Sequence, residues 1–207
     1  MLTLLGKSPS INVRKVQWTC AEIGISFQQE QFGSGTQAVN TPEFMALNPN
    51  ALVPVIKDGD FVLWESNVIC RYLAAKHGRT DLLPLEAQSR ARVEQWMDWQ
   101  ATELNNSWRY AFMALVRKSP AHTDQEAIAA SIESWNRHMK IFEMQLERTG
   151  TYALGAEFTL ADIVLGLSVH RWISMPMERP ALQAVSAYYE RLSLRVAFMQ
   201  YGRNGLP

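Results

Sequence analysis

Cysteine is scarce in this chain of 207 residues, which contains only Cys20 and Cys70. Two cysteines are too few for the disulfide framework of a small secreted domain, and no cluster of histidines accompanies them to suggest a zinc site. We therefore predict packed, unpaired thiols in the reducing cytoplasm, and no bound metal.

The sequence also lacks net charge and long apolar runs. Its 20 basic residues balance its 20 acidic residues, so no basic stripe predicts nucleic-acid binding. No stretch of about 18 apolar residues predicts a membrane span, and the short apolar start at residues 1–6 is not typical of a signal sequence. Hydrophobic residues make up 47% of the chain, enough for a buried core in one large domain or two small ones.

The first part of the chain shows the pattern of a small α/β domain. Apolar periodicity and turn residues predict the order β-α-β followed by α-β-β-α, with a parallel first strand pair and a final hairpin around Asp58-Gly59. Thr41-Pro42 is typical of a helix start. The predicted segments are strands at 2–5, 25–32, 53–56 and 61–64, and helices at 11–23, 42–47 and 65–75.

No strand is predicted after a linker at residues 78–86, where Gly78, Asp81 and Pro84 interrupt the periodicity. A long helix is predicted over 87–117, and Thr123 with Glu126 predicts a capping box for a second helix that reaches about residue 149. A second box, Thr159 with Asp162, precedes an apolar segment typical of a buried central helix. Shorter helices follow Pro180. We predict an α/β domain at 1–77 and an all-α domain at 87–207. The stripe expected on the long helix is Met97, Ala101, Leu104, Trp108, Ala111 and Leu115.

Three local patterns indicate a binding site for an anionic, amino-acid-like ligand. The segment 8–16, Ser-Pro-Ser-Ile-Asn-Val-Arg-Lys-Val, joins a strand to a helix start, where unpaired amides and the helix dipole attract anions. Pro54 opens a strand and follows a turn, which is where a cis peptide bond is found. Glu65 and Ser66 begin a helix, so a carboxylate, a hydroxyl and free amides lie together. These groups suit both the ammonium and the carboxylate of an amino acid.

With these residues the chain resembles the cytosolic glutathione transferases, in particular the bacterial and theta- or phi-like members that use serine. The resemblance covers nearly the whole chain and rests on four motifs in the expected order. It implies a thioredoxin-like α/β N-terminal domain and an all-α C-terminal domain. The motifs are Ser-x-Asn-Val-x-Lys-Val at 10–16, Asn-Pro-Asn-x-x-Val-Pro at 48–54, Glu-Ser-x-x-Ile-x-x-Tyr-Leu at 65–73 and Phe-Thr-Leu-Ala-Asp-Ile at 158–163.

The resemblance implies that Ser10 donates a hydrogen bond to the sulfur of glutathione. A free thiol with a pKa of about 8.5 is only about 3% thiolate at pH 7, and a hydrogen bond beside a helix start lowers that pKa. Ser8 is the alternative donor, and a simple helix-capping role is the alternative interpretation of Ser10. No cysteine lies in this loop, which argues against thiol-disulfide exchange.

The same resemblance implies the other glutathione contacts. The backbone of Val53, next to a cis Pro54, would pair with the cysteinyl part, and Glu65 and Ser66 would hold the γ-glutamyl end. For Glu65 and Ser66 the alternative is a helix cap with a solvated carboxylate. Asn40 follows Val39 where several relatives carry His or Lys, so weaker binding of the glycine carboxylate is possible.

The helical domain offers Trp108 and Phe112 as candidates for an acceptor pocket, although Trp108 also fits the core stripe. His170 fits a structural histidine better than a ligand-binding one.

The activity implied by the resemblance is conjugation of glutathione to hydrophobic electrophiles, a detoxification reaction, by a cytoplasmic homodimer. Two alternatives use the same scaffold. One is another glutathione-dependent enzyme, namely a reductase, a dehalogenase or an ether-cleaving enzyme. The other is a non-catalytic binding or interaction protein. Glutathione is the co-substrate in the preferred interpretation, and the acceptor cannot be read from the sequence.

Overall fold

In the computed structural model, which describes residues 1–205, four short strands form one mixed sheet. The strands are β1 (Leu2–Leu5), β2 (Phe27–Glu30), β3 (Val55–Asp58) and β4 (Phe61–Trp64). Their order in the sheet is β2-β1-β3-β4. The β1–β2 pair is parallel, whereas β1–β3 and β3–β4 are antiparallel. The parallel first pair and the final hairpin are therefore confirmed, although β2 is shorter than predicted.

Three helices accompany the sheet: α1 (Ile11–Ile23), α2 (Pro42–Met45) and α3 (Ser66–Lys76). Gly24 ends α1 in the left-handed conformation, with φ 84°. Thr41 caps α2 as predicted, because its side chain accepts a hydrogen bond from the amide of Phe44. Residues 13–20 of α1 are all buried, since α1 packs on α3 on one side and on helices of the second half of the chain on the other.

The second half of the described chain is helical, as the sequence predicts. Leu82 and Leu83 of the segment before it are buried, and the carbonyl of Leu82 accepts from the amide of Leu160. Residues 206 and 207, which the sequence analysis assigned to the helical domain, lie outside the described residues. The helices are α4 (Ala87–Trp99), α5 (Asn105–Leu115), α6 (Gln125–Thr149), α7 (Leu160–Ser174), α8 (Gln183–Leu192) and α9 (Val196–Tyr201).

A π-helical turn at Gln100–Leu104 separates α4 from α5. The prediction of a single regular helix over 87–117 is therefore wrong. The wider turn rotates the following side chains relative to a regular α-helix. Ala101, expected on the buried stripe, is exposed, whereas Gln100, which continues the regular spacing of Val93 and Met97, is buried.

Two predicted helix starts have different outcomes. The start of α6 is capped by Asp124 rather than by Thr123, because the Asp124 carboxylate accepts from the amides of Glu126 and Ala127. The capping box of Thr159 and Asp162 at α7 is present. Helix α7 is buried along nearly its whole length, which confirms it as the central helix.

The two halves of the described chain share one hydrophobic core. The Trp18 ring of α1 lies 5.8 Å from the ring of Phe158 and 4.9 Å from that of Phe198. Gly166 of α7 permits this approach, since a β-carbon there would lie 3.0 Å from Trp18 and 2.6 Å from Leu192. Among residues 1–205, no helix combines the length and apolar character that a membrane span requires.

Candidate active site

Three loop segments meet at one edge of the sheet. In the strand register, Leu5 lies opposite Val55, which lies opposite Trp64. The loop that contains Ser10 follows Leu5, Val53 and Pro54 precede Val55, and Glu65 follows Trp64. Because neighbouring strands lie about 4.8 Å apart, Leu5 and Trp64 are about 10 Å apart across β3, and the three segments adjoin this end of the sheet. The sheet therefore brings together the three patterns that the sequence singled out.

Ser10 lies directly before the first turn of α1. Its amide donates to the carbonyl of Lys7 at 3.0 Å, and its carbonyl accepts from the amide of Arg14 at 2.9 Å. Its side chain makes no capping hydrogen bond, and within residues 1–205 the hydroxyl has no hydrogen-bond partner. Ser10 leaves the first amides of α1 without a side-chain cap, so these donors and the hydroxyl lie together at the start of the helix.

Ser8, the alternative donor, lies in a different environment. It is exposed, and its hydroxyl oxygen accepts from the side-chain amide of Gln29 at 3.2 Å. The same amide donates to the carbonyl of Gly6 at 2.8 Å. Gln29 thus fixes the loop through Ser8, whereas the Ser10 hydroxyl is left available for a ligand.

The peptide bond between Val53 and Pro54 is cis, as predicted. Val53 lies outside the strand ladder, and its backbone makes no hydrogen bond with the described residues. Gly6, with φ 154°, allows the loop to approach, since a β-carbon there would lie 2.4 Å from the Val13 side chain and 3.3 Å from the β-carbon of Val53. The start of α1 and the Val53 segment therefore contact the same glycine.

The start of α3 is formed by Glu65 and Ser66. Glu65 is exposed and has φ 73°, a left-handed conformation that is uncommon for a residue with a side chain. It makes no side-chain cap, so the capping alternative is not realised. Ser66 is buried, yet its hydroxyl has no hydrogen-bond partner among residues 1–205. The first amides of α3 and this hydroxyl are consequently available to an anion.

Asn40 lies in the turn before α2 and is exposed. Its neighbour Val39 packs in the same small apolar cluster as Val53, together with Leu5, Phe44 and Val55. Neither Asn40 nor the half-buried Val39 carries the positive charge of the His or Lys that the resemblance places here.

Comparison with known proteins decides the family. The family model for the N-terminal domain of glutathione S-transferases matches residues 1–75, and the model for the C-terminal domain matches residues 106–195. The glutathione S-transferase GstB of Escherichia coli K12 is 36% identical over 203 residues, covering 89% of this chain and 97% of that protein. The chain belongs to the glutathione S-transferase family.

Further relatives agree with this assignment. Glutathione S-transferase 3 of Zea mays is 34% identical, covering 96% of the transferase described here and 92% of the maize protein. A crystal structure of the theta-class glutathione S-transferase of Xanthomonas axonopodis pv. citri, solved with glutathione bound, superposes with a TM-score of 0.92 at 35% identity. It covers 100% of this chain and 99% of that one. The expected family, fold and transferase activity are thereby confirmed.

The aromatic candidates for the acceptor pocket of the transferase lie together on α5. The rings of Trp108 and Phe112 are 5.4 Å apart, and the guanidinium of Arg171 from α7 lies over both, at 4.5 Å and 4.3 Å from their centres. Trp108 also donates to the side chain of Asn105. His170 is buried and hydrogen-bonded to the hydroxyl of Tyr189, which fits its expected structural role.

A buried polar network behind the site was not predicted. The ammonium of Lys15 donates to the side-chain oxygens of Asn67 at 3.0 Å and Gln100 at 2.8 Å. Gln100 donates in turn to Asn105 and Ser168. Burial lowers the pKa of Lys15 to about 8. A charged residue on an amphipathic helix normally faces solvent, so the apolar periodicity of α1 does not indicate that Lys15 is buried. The polar Asn67 next to Ser66 is the one sequence feature that points to the network.

Proposed function

We propose that this glutathione transferase binds glutathione across the three loop segments and that Ser10 keeps its sulfur ionised for attack on a hydrophobic electrophile. The observation that carries the proposal is the strand register of Leu5, Val55 and Trp64, which brings the segments that contain Ser10, Val53 and Ser66 to the same end of the sheet. Each has donors or acceptors that no described residue satisfies. Buried or half-buried polar groups without partners are expected where a ligand completes them.

The proposed contacts follow the order of the ligand. The backbone of Val53 pairs with the cysteinyl residue in the manner of an added strand. The first amides of α3 and the Ser66 hydroxyl hold the γ-glutamyl carboxylate, and the exposed Glu65 carboxylate holds the ammonium. Asn40 donates to the glycine carboxylate, and because it is uncharged we expect this end to contribute less.

The chemistry needs only a stabilised thiolate. A hydrogen bond from Ser10, supported by the α1 amides, lowers the thiol pKa by roughly two units from about 8.5, so that the thiolate dominates at pH 7. The thiolate then attacks an electrophilic carbon; a carbon–sulfur bond forms and the leaving group departs with its electron pair. Trp108 and Phe112 are proposed to border the acceptor, whose apolar character their rings suit.

The test compares Ser10→Ala with Ser8→Ala. Glutathione is titrated in the ultraviolet to follow thiolate formation, and turnover is measured with a chlorodinitrobenzene acceptor. Loss of one charge-assisted hydrogen bond should raise the bound thiol pKa by about 1–2 units and lower the rate at pH 6.5 by roughly 5- to 50-fold. Ser8→Ala should behave like wild type. Equal thiol pKa values in wild type and Ser10→Ala would remove Ser10 from the mechanism.

We also propose a cytoplasmic homodimer. Support for the dimer comes from the exposed apolar side chains beside the edge strand β4, which include Phe61, Trp64 and Val68, exposed by 46%, 36% and 42%. Sedimentation should give twice the chain mass for wild type and the chain mass for Val68→Glu. A monomeric wild type would contradict this proposal. The cytoplasmic location is supported by two buried, unpaired thiols, and cell fractionation tests it.

A further inference from the structure

Lys15 is an unusual residue for the interior of a protein. Its side chain is 1% exposed, and its ammonium donates only to the neutral oxygens of Asn67 and Gln100. Within residues 1–205 it forms no ion pair. Buried lysines are normally paired with an acidic group, because desolvation of an isolated charge is costly. A fixed positive charge without a built-in partner is expected where a negative ligand supplies the missing charge.

The network places this charge directly behind the start of α3. Asn67 is the second residue of α3 and follows Ser66. Its side-chain oxygen accepts from Lys15, and its side-chain nitrogen donates to the carbonyl of Met97 at 2.8 Å. The first turn of α3 is therefore fixed from both sides. Burial has the dominant effect on the pKa of Lys15 and lowers it; Cys70 raises it, Arg171 lowers it, and Glu65, next to Ser66, raises it by a smaller amount.

The π turn supplies the second acceptor. The side-chain oxygen of Gln100, the first residue of this turn, meets Lys15 at 2.8 Å while its nitrogen donates to Ser168 of α7. The helical half of the chain thus holds the ammonium against the thioredoxin-like half. The hydrogen-bond network of Lys15 therefore joins α1, which follows Ser10, to α3, which begins at Ser66.

We propose that Lys15 is a positioning residue for glutathione, whose buried charge and hydrogen bond to Asn67 set the affinity of the α3 start for the γ-glutamyl carboxylate. This inference rests on the proposed glutathione site. At the effective dielectric of a protein site, a unit charge within about 10 Å changes the affinity for a carboxylate on the order of tenfold.

The main test separates charge from packing through Gln100. Gln100→Glu places a carboxylate next to Lys15 and cancels its field, whereas Gln100→Met removes the acceptor for Lys15 and the donations to Asn105 and Ser168 without adding charge. Calorimetry with S-methylglutathione, which lacks a free thiol and so does not depend on Ser10, should show about tenfold weaker binding for Gln100→Glu and Lys15→Met. Gln100→Met should lose no more than about threefold. Lys140→Met, which removes an exposed charge from α6, should bind like wild type.

A second ligand locates the effect. The analogue 4-aminobutyryl-cysteinyl-glycine lacks the γ-glutamyl carboxylate, so Lys15→Met and wild type should bind it equally. Equal loss with both ligands, or Gln100→Glu binding no worse than Gln100→Met, would overturn the role of Lys15 and leave the glutathione site intact. If wild type bound neither ligand, the proposed site and this inference would both fall. Gln100→Glu decides the question if Lys15→Met does not fold.

Discussion

The carboxylate of Asp162 gives the sharpest prediction about the helical half of the transferase. It is fully buried at the start of α7 and accepts from the amides of Thr159 at 2.9 Å and Ala153 at 2.8 Å. The hydroxyl of Tyr188 donates to it at 3.1 Å. One side chain therefore joins the cap of α7, the loop before it and α8.

The expected cost of Asp162→Ala follows from these donors. Tyr188 can still donate to the Asp162 backbone carbonyl, 3.2 Å away, but the two buried amides lose their acceptor. An unsatisfied buried donor costs about 1–3 kcal/mol, so the free energy of unfolding should fall by about 4 kcal/mol. That is a large part of the 5–15 kcal/mol typical of a folded protein and lowers the melting temperature by roughly 10 °C.

Urea unfolding followed by tryptophan fluorescence measures this loss. The assay is run at pH 7.5, where the carboxyl is ionised although burial raises its pKa to about 6. Thr159→Ala is the matched control, because it removes a hydroxyl from the same cap without stranding both amides, and it should cost about 1 kcal/mol. A loss below 1 kcal/mol for Asp162→Ala, or one equal to that of Thr159→Ala, would refute the reasoning.

Three further predictions concern the shared core and its buried groups. Gly166→Ala places a β-carbon 2.6 Å from Leu192 and should lower the free energy of unfolding by about 1–3 kcal/mol in urea; an unchanged value would show that the neighbours yield freely. Burial lowers the pKa of Lys15 from 10.5 to about 8, so the unfolded chain binds more protons above pH 8. The free energy of unfolding should therefore gain about 2 kcal/mol between pH 8 and 9.5 in wild type relative to Lys15→Met, and parallel curves would contradict this. Cys20 and Cys70 are fully buried, and burial raises their pKa values to about 12 and about 11, so a disulfide reagent should modify both only after unfolding; rapid modification of the folded protein would disagree.

The order of strands and helices was predictable because local signals agree with the tertiary structure. Asp58-Gly59 at the hairpin, Gly24 after α1 and the box of Thr159 and Asp162 each act within a few residues. The three site segments were predictable as motifs, and the sheet register explains why they meet. The roles of Ser10 and Ser66 remain predictions from the resemblance.

Features that depend on packing from two sides were not predictable. Ala101 is exposed at the π turn, and no local propensity indicates this turn. The charges of Arg14 and Lys15 are buried because α1 lies between the sheet domain and the helices α7 and α9, although each would face solvent on an isolated amphipathic helix. Sequence periodicity describes one buried face, and α1 has several.

The contact between Trp18 and Phe198 bears on how the chain is synthesised. Trp18 belongs to α1, whereas Phe198 belongs to α9, so the surroundings of an early residue are completed by a segment that is synthesised much later. Until α9 is made, the indole and two basic side chains of α1 lack part of the structure that buries them. Dividing the protein at residues 78–86 should have the same effect. The N-terminal piece keeps the hydrophobic face of α1 but loses the helices of the second half that bury it.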